Sequence, residues 1–166
     1  MLGVALERFC AALRGLLAVL VGALAAPVAM QVIARYTGLI PNYLWTEELA
    51  TFLFIWVVMI GSMVAVWDGT HFDVRVLPDA RGPLASLLQD GFVLVCVLAF
   101  GLMVAWYGVD YARFGANQRS MMMGANKIFT HVSVPIAGAV WAIFAAWRLK
   151  ERIDAWRRSQ PRSAVR

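Results

Sequence analysis

Residues 47–67 read EELATFLFIWVVMIGSMVAVW, and this stretch decides the fold. Two carboxylates open it, and no charged residue follows before its end at Trp67. A helix rising about 1.5 Å per residue needs about 20 such residues to cross a hydrocarbon layer of about 30 Å. Three more blocks of the same kind lie at about 15–35, 87–108 and 128–148, none with an interior Lys or Arg. The expected architecture is an all-α integral membrane protein of four transmembrane helices joined by short loops. It forms one membrane domain over 1–166, ending in a basic tail from 149 to 166.

Composition agrees with lipid as the solvent. Hydrophobic residues make up 61% of the 166 and charged ones 15%, with mean hydropathy +0.70. A soluble domain of this size needs more polar surface than that. The net charge of +5 does not point to nucleic acid, because seven basic residues cluster from Arg148 onward, as in a tail facing anionic lipid. Arg14 and the apolar run after it resemble a signal peptide, but that run continues to Ala34, so it is read as a retained first span.

Basic residues set the orientation. Arg8, Arg14, Arg75, Arg81 and the seven of the tail fall on one side; Arg35, Arg113, Arg119 and Lys127 fall on the other. The excess places both termini in the cytoplasm of a multi-pass bacterial inner-membrane protein. Thr46 is a candidate cap for the second span, Pro83 for the start of the third and Asn126 for the fourth. Tyr36, Tyr43 and Trp45 mark one interface, Trp67 and Trp147 the other. Pro27 and Pro135 each remove a backbone donor inside a span and are expected to kink it. Leu2, Leu6, Phe9 and Leu13 share a face, which reads equally as an amphipathic interfacial helix or an extension of the first span.

Helix packing in lipid depends on small residues at four-residue spacing. Such ridges are Ala18, Gly22, Ala26 and Ala29; Gly61, Ala65 and Gly69; Gly101, Ala105 and Gly108; and Gly138, Ala142 and Ala146. On another side of the second span, Phe52, Trp56, Met59, Met63 and Trp67 make a bulky stripe suited to lipid or to a partner's groove. Ionisable groups stay near the ends: Arg35, Glu47 and Glu48 on the outer side, where they could pair, Asp90 within about two turns of the third helix's inner end, and Asp110 beyond its outer end. A carrier acting alone would keep an ionisable group near the midplane. His71 and His131 belong to opposite faces and cannot share a haem. No nucleophile–base set, paired carboxylates or phosphate loop suggests an enzyme. No cofactor or metal is expected.

The order RYTG (35–38), WTEELATFLFIW (45–56) and GSMVAVWDGTHFDVRVL (61–77), followed by VPIAG (134–138), resembles the small, DctQ-like membrane subunit of tripartite ATP-independent periplasmic (TRAP) transporters. The matching positions are Arg35, Tyr36 and Gly38; Trp45, Glu47, Glu48 and Leu49; and Gly61, Ala65, Gly69 and His71. Thr51 departs from the family's frequent Arg. The resemblance implies a large membrane subunit that carries substrate and sodium and moves as an elevator. It also implies a periplasmic binding protein that delivers an organic acid, and a small subunit that scaffolds the large one. Arg35, Tyr36, Trp45, Glu47, Glu48, Phe52, Trp56, Gly61, Ala65, Gly69 and His71 are then partner-interface candidates; Glu47, Tyr43, Arg113 and Arg119 are also placed to touch the binding protein. Two alternatives stay open: the small subunit of a tripartite tricarboxylate-type transporter, and a haem- or quinone-linked membrane anchor.

Overall fold

In the computed structural model, which describes residues 2–37, 41, 43–69 and 83–159, the 47–67 run forms the body of helix α2 (Leu44–Asp68). The helix starts earlier than a Thr46 cap requires. Tyr43 is the extended residue before it, without a side-chain cap, and Thr46 Oγ1 donates to Tyr43 O at 2.7 Å from inside the first turn. Gly69 ends α2 with φ 73, its N–H donating to Ala65 O at 3.0 Å. This left-handed geometry suits glycine. A side chain there would also collide with the Arg148 guanidinium.

Helix α1 (Leu2–Thr37) is one continuous element of 36 residues, about 54 Å long. The first residues are therefore an extension of the span, and their apolar face is taken by protein. Cys10 and Leu13 are buried, Phe9 meets the Phe144 ring edge-on at 6.2 Å, and Gly3 lies under the Trp147 ring. Gly3, Leu6, Cys10, Leu13, Leu17, Leu20, Leu24, Pro27, Gln31 and Ala34 are all buried or half-buried. Their alternating steps of three and four make a straight seam of coiled-coil type. Pro27 sits in that seam and the helix runs on through it. Ala18, Gly22, Ala26 and Ala29 are exposed, so the expected small-residue ridge of α1 is not used within the chain.

Helix α3 (Pro83–Ala116) opens on Pro83 as expected and outlasts the 87–108 span at both ends. Asp110 therefore lies inside it, not beyond it, and pairs with Arg113 at 3.0 Å. The fourth span is two helices, α4 (Ile128–His131) and α5 (Ser133–Ser159), separated at Val132. Pro135 offers no N–H to His131 O, and its ring displaces that carbonyl. The interruption thus falls just before it, and Pro135 occupies the first turn of α5. Ser133, fully buried, donates to Thr130 O at 2.7 Å across the break. Residues 149–159, expected as tail, continue α5.

Among the described residues, α1 packs on α2, α2 on α4 and α5, and these on α3; α3 meets neither α1 nor α2 at backbone level. The spans stand in a row with α2 and α5 in the middle. The α3–α5 contact is the closest. A Cβ built at Gly138 would lie 2.5 Å from Ala105 N, and one at Gly101 would lie 2.9 Å from Ala142 N. Here Gly101 and Ala105 of one expected ridge meet Gly138 and Ala142 of the other, while Ala146 stays exposed. Where α1, α2 and α5 converge, Cys10, Leu13, Ile60, Met63, Val64, Ala137 and Phe144 form the core.

Candidate functional site

The charged side chains form two fences. α1 is charge-free between Arg14 and Arg35, α2 between Glu48 and Asp68, α3 between Asp90 and Asp110, and the fourth span between Lys127 and Arg148. At the end nearer the termini, the charges join neighbouring helices. Arg14 pairs with Asp68, and Arg152 pairs with Asp90 at 3.3 Å. Arg148 lies against Gly69 and donates to Val66 O at 3.4 Å. Asp90 thus joins α3 to α5 while its side chain stays 43% exposed. Sequence reading missed Arg14, Asp68, Arg148 and Arg152 as a set. Their common level on adjacent helices was the available signal.

At the far end, Glu48 holds the hairpin between α3 and α4. It accepts hydrogen bonds from Ser120 Oγ and from the backbone N–H of Met123 at 3.1 Å and Met122 at 3.4 Å. A carboxylate is suited to this because it only accepts and has room for several donors. The hairpin closes on itself through Ser120 N to Ala125 O at 2.8 Å and Lys127 N to Gln118 O at 3.0 Å. Lys127 is the residue before α4, without a side-chain cap; Asn126, expected as the cap, lies one residue earlier in an Asx arrangement, with Oδ1 accepting from Ile128 N at 2.9 Å and Nδ2 donating to Ala116 O at 3.0 Å. The result carries Met121 out into the open, 93% exposed.

The other expected interface residues divide into two groups. Trp56 Nε1 donates to Phe129 O at 3.0 Å, Gly61 faces Leu17 of α1, and Gly69 lies under Arg148. Met63 is buried, with Met59 and Trp67 packed around the core, and Trp67 meets Phe144 at 4.9 Å. The bulky stripe of α2 is therefore largely an internal contact, reaching α5 as well as α1. Ala65 and Phe52 are half-buried. Arg35, Tyr36 at 83%, Trp45 at 42% and Glu47 stay exposed at the far end. Arg35 and Glu47 line a cavity of about 400 Å³ between α1 and α2 without pairing, and Gln31 is at the same cavity. Among the described residues, the buried Gln31 Nε2 has no hydrogen-bond partner. His131 Nδ1 contacts Lys127 O at 2.8 Å, with its ring 4.4 Å from Tyr111. His71 and Gly38 lie outside the described residues.

Four helices long and apolar enough to cross a membrane, with ionisable groups held to the two ends, define the class: a multi-pass, all-α membrane protein. The family described as "Tripartite ATP-independent periplasmic transporters, DctQ component" matches residues 24–155. The chain is 25% identical over 135 residues to the sialic acid TRAP transporter small permease protein SiaQ of Vibrio cholerae, covering 81% of this chain and 75% of that one. It is 29% identical over 149 residues to a Haemophilus influenzae protein described as a TRAP transporter small permease, covering 87% and 85%. The chain belongs to the DctQ family: it is the small permease subunit of a TRAP transporter, a transport component and not an enzyme.

Proposed function

We propose that this subunit braces a large membrane subunit during sodium-driven, binding-protein-dependent uptake of an organic acid across the bacterial inner membrane, with both termini in the cytoplasm. The observation that carries this reading is the pair of charge fences. With no ionised group between them on any helix, the row has nothing at the midplane to coordinate a solute or a coupling ion. Its helices are instead tied at one end by cross-helix ion pairs and at the other by the Glu48 clamp. These ties keep the helices in register while another part moves.

Arg35, Tyr36 and Trp45 are expected interface residues left free at the far end, and they are the contacts this reading assigns to the large subunit or the binding protein. Reconstitution tests it. Liposomes with the large subunit, the binding protein and a sodium gradient should accumulate the substrate only when this chain is present. Liposomes holding this chain alone should accumulate none. Uptake by the chain alone, or full uptake without it, would overturn the bracing role.

A further inference from the structure

At the far end a groove of about 720 Å³ opens between the first turns of α2, Tyr111 of α3, the hairpin and α4. Its apolar wall includes Phe52, Ile55 and Phe129. Trp56, one turn deeper than Phe52, ties α2 to α4 through Phe129 O at 3.0 Å. The rim holds Glu47, Glu48 and Lys127. Ile55 is eight positions beyond Glu47, so the wall reaches about 12 Å along α2. One leaflet's hydrocarbon is about 15 Å deep. The groove therefore runs from headgroup level to most of the depth of an acyl chain.

The rim charges are not equivalent. Glu48 spends its oxygens on Ser120, Met122 and Met123. Among the described residues the Glu47 carboxylate and the Lys127 ammonium have no hydrogen bond or ion pair, with each other or with anything else. One carboxylate without a partner and one ammonium that neighbours Glu48 without bonding to it thus stand at a single mouth above an apolar wall. That is the complement of an amphiphile carrying both a phosphate and an ammonium.

We propose that this groove binds one phospholipid with a zwitterionic, primary-amine headgroup. Lys127 receives the phosphate, Glu47 accepts hydrogen bonds from the ammonium, and an acyl chain lies against Phe52, Ile55 and Phe129. A quaternary ammonium cannot donate to Glu47, and an anionic headgroup without an amine is repelled by it. Phosphatidylethanolamine should therefore bind ahead of phosphatidylcholine and phosphatidylglycerol.

The test uses the full chain in mild detergent, stripped of lipid and offered each of these three lipids separately, with retained lipid counted by native mass spectrometry. One phosphatidylethanolamine per chain is expected to persist. Lys127→Ala should cut its retention about fivefold or more, since a charge-assisted hydrogen bond is lost. Glu47→Gln should shift the preference toward phosphatidylglycerol. Ile55→Trp, which fills the wall, should abolish retention while circular dichroism stays unchanged. Equal retention of all three lipids, or indifference to Lys127→Ala and Glu47→Gln, would overturn the site as ordinary annular lipid. Loss of the bound lipid on adding the large subunit would overturn it in favour of a protein side chain as the occupant.

Discussion

Replacing Gly138 by alanine adds one methyl group at the tightest point of the α3–α5 contact. The new Cβ would lie 2.5 Å from Ala105 N, 2.8 Å from Gly101 O and 3.0 Å from Val104 C, all backbone atoms that no rotamer change can clear. Ordinary contact begins at 3.4 Å, so the helices must part by ~0.9 Å. A gap of about 0.5–1 Å forfeits roughly a quarter to a half of each dispersion contact it opens. In lipid, where apolar burial gives no further drive, those contacts are what hold helices together. Overpacking costs about 1–3 kcal/mol, against less than about 1 kcal/mol recovered from alanine's better helix propensity. Gly138→Ala should therefore be net destabilising. Gly22→Ala, with nothing within 4 Å of its built Cβ, should be neutral or slightly stabilising. Reversible unfolding in mixed micelles of graded SDS content would measure both. Gly101→Ala meets the same gap from the other side, its Cβ 3.0 Å from Gly138 O, so the double variant should cost less than the two singles added together. A Gly138→Ala protein as stable as wild type, or strict additivity with Gly101→Ala, would refute the close crossing.

Three other perturbations separate internal from external roles. Glu48→Gln should speed hydrogen exchange at the Met122 and Met123 amides while exchange in α5 stays unchanged; unaltered hairpin exchange would show that the carboxylate does not hold it. The Arg14–Asp68 pair is well exposed, with side chains 54% and 34% accessible, so a double-mutant cycle with Arg14→Ala and Asp68→Ala should give a coupling of only about 0.2–1 kcal/mol that fades with salt. Gly61→Leu should loosen α1 from α2, because its side chain runs into Leu17, whose methyl carbons lie 3.9 Å from the built Cβ. The expected cost is about 1–3 kcal/mol in the same micelle titration; unchanged stability with lost capture of the large subunit would make Gly61 an external contact.

Span number and type were legible because they depend on run length and on the placement of charges, both one-dimensional properties. The ridges of the third and fourth spans were legible for a related reason: Gly101, Gly108 and Gly138 are useful only where another backbone comes close. The partner of each face was not. In α1 the small-residue ridge and the leucine seam are both periodic, and only the structure shows that Leu17 and Leu20 take the inner side while Gly22 stays uncovered. The stripe from Trp56 to Trp67 has the side chains of a docking surface, yet it meets Phe129 and Phe144 of the same chain. Glu48 and Glu47 are adjacent and chemically alike, but face different surroundings. Which one binds the hairpin is decided by a loop more than 70 residues away, and local pattern holds no record of that.

A row of helices differs physically from a closed bundle. In a bundle each helix has neighbours on two sides and the structure resists bending by itself. Here, among the described residues, α1 and α3 do not meet at backbone level; α1 packs on α2 and reaches α5 through Phe9 and Gly3, and α3 crosses α5 at its glycines. The exposed ion pairs at the near end set register but contribute little energy. The long seams supply the cohesion within the row. They cannot prevent it from flexing about the lines between helices. Stiffness against that motion has to come from what lies on the flat faces, and a groove that admits an acyl chain beside α2 and α4 is one place where the lipid itself can provide it.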